Sequence, residues 1–381
     1  MAQKETTNTS VRSQLLEFVW PLSYLMAFLG TISAGVLAAF DMTRLNYLVV
    51  LACILSVAVP ASLNFFCEEP VQPHQLVEIR NTFTEHWQIP AVSAAILLCN
   101  LAMSLVTLSC SSFAGAAVSM LGSLTIAFLG LALLPDQLGK MIFFLIFAGM
   151  SRYQLQGAEM YFLSDSVQEY QDGPHFSKSF ISGAWFGTDV IAISFGMYLG
   201  SRLGKGWTYR GFCVAVSSLM MLLSMPGVLF YLRWNTALGV PDPLMAVLAK
   251  ACVGVGNGMQ AIGLFVAFTF LCPDTMEATV YGLLMGTFNL ADGQASGSLV
   301  LHMLGVNPKG SPGESSQFEN MWVAAACQPI LCFAVTVLLQ RCLPAEEMFH
   351  SLVFENSSSI PASSLEAGDK LDETPSKAPE G

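Results

Sequence analysis

A short, otherwise apolar stretch of the sequence contains a group of charged and amide side chains at helical spacing. In SRYQLQGAEMYFLSD, Arg152, Gln156 and Glu159 follow at i, i+4 and i+7, one face of a helix, and Asp165 comes near its end. Charged groups are costly in hydrocarbon and turn toward a bundle interior or an aqueous cavity. The pattern predicts a polar lining that binds substrate or relays a proton. Its alternative is an internal pair of Arg152 and Glu159 that only tolerates burial.

Four further ionisable residues lie within or near the ends of apolar blocks, namely Asp189, Lys250, Glu277 and Asp292. Asp189, in the middle of SGAWFGTDVIAISFG, must either pair or titrate, and a carboxylate poised to titrate is what proton coupling requires. Lys250, six residues into its block, either contributes to a site or extends its ammonium to the membrane surface. Glu277 lies where a later block begins.

Sequence signatures of enzymes are absent. The five histidines have no metal-ligand spacing, no serine lies in a G-x-S-x-G elbow, and GVGNG, which begins at Gly254, follows no strand pattern. The cysteines within apolar blocks have no CxxC spacing and are interpreted as small buried hydrophobes. We therefore expect no enzymatic activity, no cofactor and no metal, and the sequence has no nucleic-acid footprint.

The composition requires a lipid solvent around these residues. Hydrophobic residues make up 54% of the 381 and charged residues only 11%, and the apolar residues come in blocks of about twenty, enough for a helix to cross a bilayer. This predicts an all-α polytopic membrane bundle. Its ten candidate spans are Phe18–Phe40, Leu45–Phe66, Ile89–Ser109, Ser112–Leu134, Leu138–Leu163, Ser177–Gly200, Gly211–Leu232, Leu244–Phe270, Ala278–Leu304 and Met321–Arg341.

The distribution of lysine and arginine among the loops predicts the orientation of the bundle. With ten spans and the N-terminus inside, the inner side has the clear excess of basic residues, so both termini are expected to be cytoplasmic. The acidic Ser/Pro/Glu-rich tail cannot bury enough apolar area to offset its ordering entropy and is expected to be disordered.

Glycine pairs at four-residue spacing predict close helix packing in the second half of the chain. The four pairs are Gly196 with Gly200, Gly254 with Gly258, Gly282 with Gly286, and Gly293 with Gly297.

Residues 271–306 have the sequence LCPDTMEATVYGLLMGTFNLADGQASGSLVLHMLGV. This sequence resembles the hallmark stretch of the folate-biopterin transporter family. Three other stretches are similar to further motifs of that family and occur in the correct order: MYFLSDSV, NTALGVPDPLM and FENMW. The resemblance covers residues 158–344. The matching positions of the hallmark are Cys272, Pro273, Glu277, Ala278, Thr279, Tyr281, Leu283, Leu284, Asn289 and Leu290.

The resemblance implies a major-facilitator-like fold of two six-helix halves, with alternating access and proton-coupled uptake of folate or a pterin. The substrate's carboxylates need cations and its ring needs aromatic faces, for which Arg152 and Lys250 with nearby tyrosines and phenylalanines are candidates. Glu277 and Asn289 are candidates through the motif. The candidates for substrate binding or coupling are Arg152, Glu159, Asp165, Asp189, Lys250, Glu277 and Asn289.

The chain departs from the family pattern before Leu138, where only four spans precede the C-terminal half. The expected division is a cytoplasmic segment 1–15, a two-span remnant of the N-terminal half 16–66, a polar linker 67–88, two inserted spans 89–134, the six-helix half 135–343 and the acidic tail 344–381. This leaves an alternative to transport, a truncated or non-transporting paralogue that acts as a membrane scaffold or regulator. The plasma membrane is favoured over an organelle membrane.

Overall fold

The computed structural model describes residues 73–109, 112–272, 276–291, 293–309 and 314–348. These residues form helices, and their β-type pairing is limited to two isolated bridges, Thr208 with Glu347 and Asn307 with Gln317. The predicted all-α fold class is confirmed. The helices are α1 Pro73–Glu85, α2 Gln88–Ser109, α3 Ser112–Leu133, α4 Asp136–Ser151, α5 Gln156–Ser164, α6 Phe186–Leu203, α7 Tyr209–Leu223, α8 Met225–Tyr231, α9 Trp234–Ala237, α10 Asp242–Phe270, α11 Glu277–Leu290, α12 Gln294–Met303 and α13 Met321–Leu339. A π-helical turn, Phe180–Trp185, leads into α6, and a 3₁₀ turn, Gln340–Cys342, follows α13.

Several of these helices are long and apolar enough to cross a membrane. Five such segments lie within the described ranges, and α1 with α2, bent by 75°, would make a sixth. The chain is thus an integral membrane protein. The predicted spans Phe18–Phe40 and Leu45–Phe66, and the acidic tail beyond Met348, lie outside the described residues. The five segments are Phe113–Leu133, Phe180–Leu203, Tyr209–Tyr231, Asp242–Phe270 and Met321–Cys342.

Two of the predicted spans are interrupted rather than continuous. The span Leu138–Leu163 is divided into α4 and α5 by the unwound residues 152–155, and the span Ala278–Leu304 is divided into α11 and α12. The prediction that Arg152, Gln156 and Glu159 share one helical face is therefore wrong. Residues 152–155 leave the helix because their polar groups bond to other segments, as described below.

Helices α6 and α10 pack closely through two of the predicted glycine pairs. A Cβ atom at Gly196 would meet the backbone of Val255, and one at Gly258 would meet the backbone of Ile193. Gly200 and Gly254 likewise lie against the partner helix. These small residues let the two backbones approach where lipid offers no hydrophobic drive for helix association.

The other two glycine pairs differ from each other. Gly293 and Gly297 lie against the unwound segment between α4 and α5. A Cβ at Gly282 would meet nothing within 4 Å, and one at Gly286 would only touch Ile96 at an ordinary distance. The prediction of close packing is confirmed for three pairs and wrong for Gly282 with Gly286.

The described core has two apolar clusters. The larger joins α2–α4, α6, α7, α11 and the second half of α10, and the smaller joins α5, the π-helical turn, α8, the start of α10 and the start of α13. Helix α10 contributes Met245 and Ala246 to the smaller cluster and Met259 onward to the larger. Lys250 and Asn257 lie in the part of α10 between them, and the buried Gln260 directly follows Met259.

The chain leaves α13 and returns to the loop between α6 and α7. The amide of Met348 donates to the carbonyl of Trp207 at 2.7 Å, and the Arg210 guanidinium donates to the Leu343 carbonyl at 2.9 Å. The Met348 side chain is buried beside Gly204 and Gly263. This segment therefore closes the end of α6 and α10.

Candidate functional site

A cavity of about 340 Å³ lies at the level of the unwound segment and the middle of α10. Two cationic and two anionic side chains line it, together with amides and aromatic rings. Its lining includes Arg152, Gln154, Gln156, Glu159, Trp185, Asp189, Phe230, Tyr231, Lys250, Asn257, Phe288 and Gln328.

The unwound segment is held by bonds that replace those of a helix. The Gln154 amide donates to the Gly293 carbonyl at 3.0 Å, and Gln328 Nε2 of α13 donates to the Tyr153 carbonyl at 2.5 Å. The buried Tyr153 hydroxyl donates to the Ala324 carbonyl at 2.6 Å. Backbone away from regular helix is tolerated at membrane depth only where protein or water satisfies it, and these contacts provide that.

Gly293 and Gly297 make this arrangement sterically possible. Gly293 has φ +69°, a left-handed conformation that glycine adopts without strain, and a Cβ there would lie 2.6 Å from the Arg152 carbonyl. A Cβ at Gly297 would meet the Gln154 carbonyl. The break between α11 and α12 thus crosses the break between α4 and α5, and the crossing places Arg152 in the cavity wall.

Arg152 is bound on one side only. Its Nη1 donates to Gln260 Oε1 of α10 at 3.0 Å, and its guanidinium carbon lies 5.8 Å from the centre of the Phe288 ring. The Nε atom is buried and has no hydrogen-bond partner among the described residues. A guanidinium that lines a cavity is chemically suited to an anionic ligand.

Lys250 lies between two carboxylates from different helices. Its Nζ is 3.5 Å from Asp189 Oδ2 of α6 and 3.9 Å from Glu159 Oε2 of α5, and it lies 4.1 Å from the centre of the Trp185 ring. The Lys250 side chain is only 14% exposed. Of the two predicted alternatives, the described arrangement has the ammonium inside the cavity rather than extended to the surface.

The close packing of α6 on α10 fixes the Lys250 and Asp189 pair. A Cβ at Gly254 would lie 3.1 Å from Asp189 Oδ1 and 2.7 Å from the Ala192 Cβ. Since Lys250 and Gly254 are one turn apart on α10, the same contact that lets the helices approach also places the two charges together.

Glu159 has a second partner on α8. The Tyr231 hydroxyl donates to Glu159 Oε1 at 2.6 Å, while Oε2 faces Lys250. The predicted internal pair of Arg152 with Glu159 is therefore not how either charge is bound here: Glu159 faces Lys250 and Tyr231, and Arg152 bonds to Gln260.

The four charges in the cavity cancel. Arg152 and Lys250 supply two positive charges, and Glu159 and Asp189 supply two negative ones. With aromatic faces at Trp185, Phe230, Tyr231 and Phe288, the site can offer cations to carboxylates, carboxylates to N–H groups and rings to planar ligands.

The structure brings four of the seven predicted site residues together and places three elsewhere. Arg152, Glu159, Asp189 and Lys250 line the cavity, whereas Asp165, Glu277 and Asn289 are absent from its lining. Asn289 is exposed near the end of α11, and Glu277 is half-buried at the start of that helix. A role for these two in substrate handling stays a prediction.

Asp165 lies in a loop contact rather than in the cavity. Its buried carboxylate accepts a hydrogen bond from the Ser316 hydroxyl, and its carbonyl contacts His175 Nδ1 at 2.6 Å. Next to it, Lys309 Nζ lies 2.6 Å from Glu169 Oε1, and the Ser316 amide donates to the Glu169 carbonyl at 3.0 Å. These bonds join the loop after α5 to the loop before α13.

Sequence reasoning missed two polar contacts of the site, Tyr231 and Gln260. Gln260 lies within a long apolar helix, and a buried amide there was a readable signal. Nothing in the sequence pointed to Tyr231, because a tyrosine at the end of an apolar block is ordinary at a membrane interface. No group of three or more metal-ligating side chains occurs within the described ranges.

Comparison with known proteins identifies relatives. The model of the BT1 family matches residues 1–359. "Probable folate-biopterin transporter 6" of Arabidopsis thaliana is 28% identical over 183 residues, 48% of this chain and 35% of its own length. "Probable folate-biopterin transporter 2" of the same plant is 27% identical over 188 residues, 46% of this chain and 34% of its own length. The "Folate-biopterin transporter" of Synechocystis sp. is 29% identical over 152 residues, 38% of this chain and 28% of its own length.

The matches thus span about a third of the length of these relatives. Their names describe transporters rather than enzymes, in line with the expectation drawn from the sequence. No solved structure matches the chain.

Proposed function

Because the chain belongs to the BT1 family, we propose that it is a membrane transporter for folate or pterin compounds. It works by alternating access and is coupled to protons. The observation that supports this proposal best is the cavity itself, where two cations, two carboxylates and four aromatic residues meet beside the break between α4 and α5. Its relatives are named for the same substrates.

The charges of the cavity suit both ends of such a substrate. A pterin ring presents adjacent N–H donors on its pyrimidinone edge, which a carboxylate such as Glu159 or Asp189 can accept in pairs, and its flat face suits Trp185 or Phe288. The glutamate tail of folate presents carboxylates, for which the Arg152 guanidinium in the cavity lining is a donor.

Electroneutrality supplies the reason for proton coupling. The site has no net charge when empty, so an anionic substrate makes it negative in a poorly polarisable environment, which is unfavourable. Protonation of Asp189 or Glu159 removes one negative charge and frees Lys250 for the substrate. A substrate without carboxylates leaves the balance unchanged and needs no proton.

Uptake assays test the proposal. Cells lacking endogenous carriers, expressing the full chain, should accumulate labelled folate and biopterin, and an inward proton gradient should increase folate uptake more than biopterin uptake. Asp189→Asn should abolish concentration of folate by the gradient while exchange of folate across the membrane continues. Asp136→Asn, which alters an exposed pair with Lys140, is the matched control.

Two outcomes would overturn parts of the proposal. Absence of uptake of either compound in cells where the protein reaches the membrane favours the alternative, a non-transporting scaffold or regulator of another transporter. Unchanged gradient dependence in Asp189→Asn removes that carboxylate from coupling and leaves Glu159 as the candidate.

The orientation of the chain is part of the same proposal. Both termini are cytoplasmic, as the loop charges favour, and the protein resides in the plasma membrane. A tag placed after Gly381 should be protected from protease in intact cells and cut after permeabilisation. Cleavage in intact cells would reverse the orientation.

A further inference from the structure

Tyr231 lies in the wall between two cavities. It lines the central cavity and also a second one of about 540 Å³, here called the vestibule, on the side of the α8–α10 connection. The vestibule is lined by Tyr170, Gln171, Asp172, Gly173, Tyr231, Leu232, Arg233, Thr236, Glu319 and Trp322.

The rest of this wall is aromatic. The Tyr231 ring packs edge to face on the buried Phe162 ring, with 5.3 Å between the ring centres. The centre of the Phe162 ring in turn lies 5.6 Å from that of Phe230 and 5.7 Å from that of Phe318. Tyr170 of the vestibule packs on Phe318 at 5.1 Å. A substrate cannot pass from vestibule to cavity while these rings are in contact.

Helix α5 contacts Tyr231 twice. Glu159 and Phe162 are one turn apart on α5, and Tyr231 bonds to the first through its hydroxyl and packs on the second through its ring. The hydroxyl bond is the polar half of this attachment between α5 and α8. It depends on the charge of Glu159, since a phenol donates more strongly to a carboxylate than to a carboxylic acid.

From this geometry we infer that Tyr231 is a positioning residue that links ionisation of Glu159 to closure of the wall between cavity and vestibule. The inference rests on the proposed transport function and deepens it. With Glu159 charged, Tyr231 holds α5 against α8 and the wall is closed. When Glu159 takes up a proton, the bond weakens, α5 can separate from α8, and the cavity opens to the vestibule.

Other charged groups near Glu159 also affect its ionisation. Lys250 of α10 faces it at 3.9 Å, Asp189 of α6 faces the same ammonium at 3.5 Å, and Arg152 lines the same cavity. All remain in place when the Tyr231 hydroxyl alone is removed. Tyr231→Phe therefore isolates the hydroxyl.

Carbodiimide labelling of the purified full chain tests the link without any substrate. Hydrophobic carbodiimides react with protonated carboxyl groups, so modification of the Glu159 peptide, as an adduct or as a crosslink to Lys250, reports protonation. Tyr231→Phe should shift half-maximal modification upward by about one pH unit, since the charged form loses a donor. Glu159→Gln identifies the peptide by losing the signal.

Ser217→Ala is the control. It removes a buried hydroxyl bond between α7 and α13, from Ser217 Oγ to Thr336 Oγ1 at 3.2 Å, and neither residue lines the cavity. It should leave the labelling profile where the wild type has it. In uptake assays, Tyr231→Phe should retain folate uptake at a pH where the wild type and Ser217→Ala have lost it.

Identical labelling profiles in wild type and Tyr231→Phe would overturn the inference, as would an equal shift in Ser217→Ala. Labelling and uptake can fail separately. If the wild type takes up neither compound, the proposed function fails, while the labelling comparison still decides whether Tyr231 governs Glu159.

Discussion

Two helix crossings place charges in the same cavity by different means. Helices α6 and α10 run uninterrupted past each other, with glycines between their backbones, and fix Asp189 beside Lys250. At the other crossing both chain segments are broken, and hydrogen bonds from residues 152–155 to Gly293 and α13 hold Arg152. The first crossing depends on shape and the second on a few polar bonds, so we expect the first to be rigid and the second to move.

Matched alanine substitutions at the two crossings should give the largest effects. At Gly258 the new Cβ meets the Ile193 carbonyl between continuous helices, and at Gly297 it meets the Gln154 carbonyl in the unwound segment. Gly258→Ala should destabilise the protein by about 3 kcal/mol or more, beyond ordinary overpacking, because neither helix can yield.

Gly297→Ala should cost less than Gly258→Ala, because the unwound segment can shift, but it should reduce uptake strongly. Thermal denaturation of the purified protein measures the loss of stability. Gly282→Ala, where a Cβ meets nothing, is the control and should be neutral. Equal losses of stability at Gly258 and Gly297 would contradict the contrast between the crossings.

Removal of the lysine at the rigid crossing should have the next largest effect. Lys250→Met leaves Asp189 and Glu159 facing each other without a cation, which should lower stability by about 1–3 kcal/mol. This is less than the roughly 3–5 kcal/mol for a fully buried pair, because the cavity is polar. The melting temperature of the purified chain should fall, and Lys140→Met, in an exposed pair, should not change it.

Adding Asp189→Asn to Lys250→Met should recover part of the lost stability, since one of the two uncompensated charges is then gone. A double variant no more stable than Lys250→Met alone would mean that the lysine acts by packing on Trp185 rather than by charge.

A double-mutant cycle sharpens which charges belong together. Glu159→Gln and Lys250→Met should be coupled by about 0.5–3 kcal/mol, because the groups face each other at 3.9 Å. Glu159→Gln and Arg152→Gln should be additive within about 0.5 kcal/mol, because Arg152 bonds to Gln260 instead. Strong coupling of Arg152 with Glu159 in thermal denaturation would support the internal pair that the sequence analysis left as an alternative.

The loop contact at Glu169 should show the smallest effect and a defined pH dependence. The hydrogen bond from Lys309, with those from Ser166, lowers the pKa of Glu169. A lowered pKa in the folded protein contributes stability above the unfolded value of about 4.3, and this is lost as pH falls through the folded pKa. Glu169→Gln should therefore melt slightly below wild type at pH 7, and the difference should vanish in acid. A difference that stays the same as the pH is lowered from 7 into acid would have another cause.

The sequence predicted the features that depend on interactions within a single segment of the chain. Apolar blocks predicted the helices, and the expense of a charge in hydrocarbon marked Arg152, Glu159, Asp189 and Lys250 as candidates, which line one cavity. Glycine spacing predicted the approach of α6 to α10. Each signal is a property of a single segment.

What the sequence could not predict depends on contacts between distant segments. The break after Ser151 carries neither proline nor glycine within residues 152–155 and exists because Gly293, Ala324 and Gln328 bond to these residues. Glu159 faces Lys250 rather than Arg152 for the same reason, since the break rotates Arg152 away from the face of α5. Asp165 was indistinguishable by type from the cavity carboxylates, although it bonds to a loop serine.

The return of the chain to the loop between α6 and α7 fixes an attachment point. Because Met348 is buried and its amide bonds to Trp207, whatever follows in the chain starts from the end of α6 and α10. A recognition motif placed after Met348 would sample this face at an effective concentration on the order of millimolar, so even a weak interaction there would be largely occupied. The position of Met348, where the chain leaves the loop between α6 and α7, would then set the avidity of the tail for the helix ends beside it, rather than the strength of any one contact.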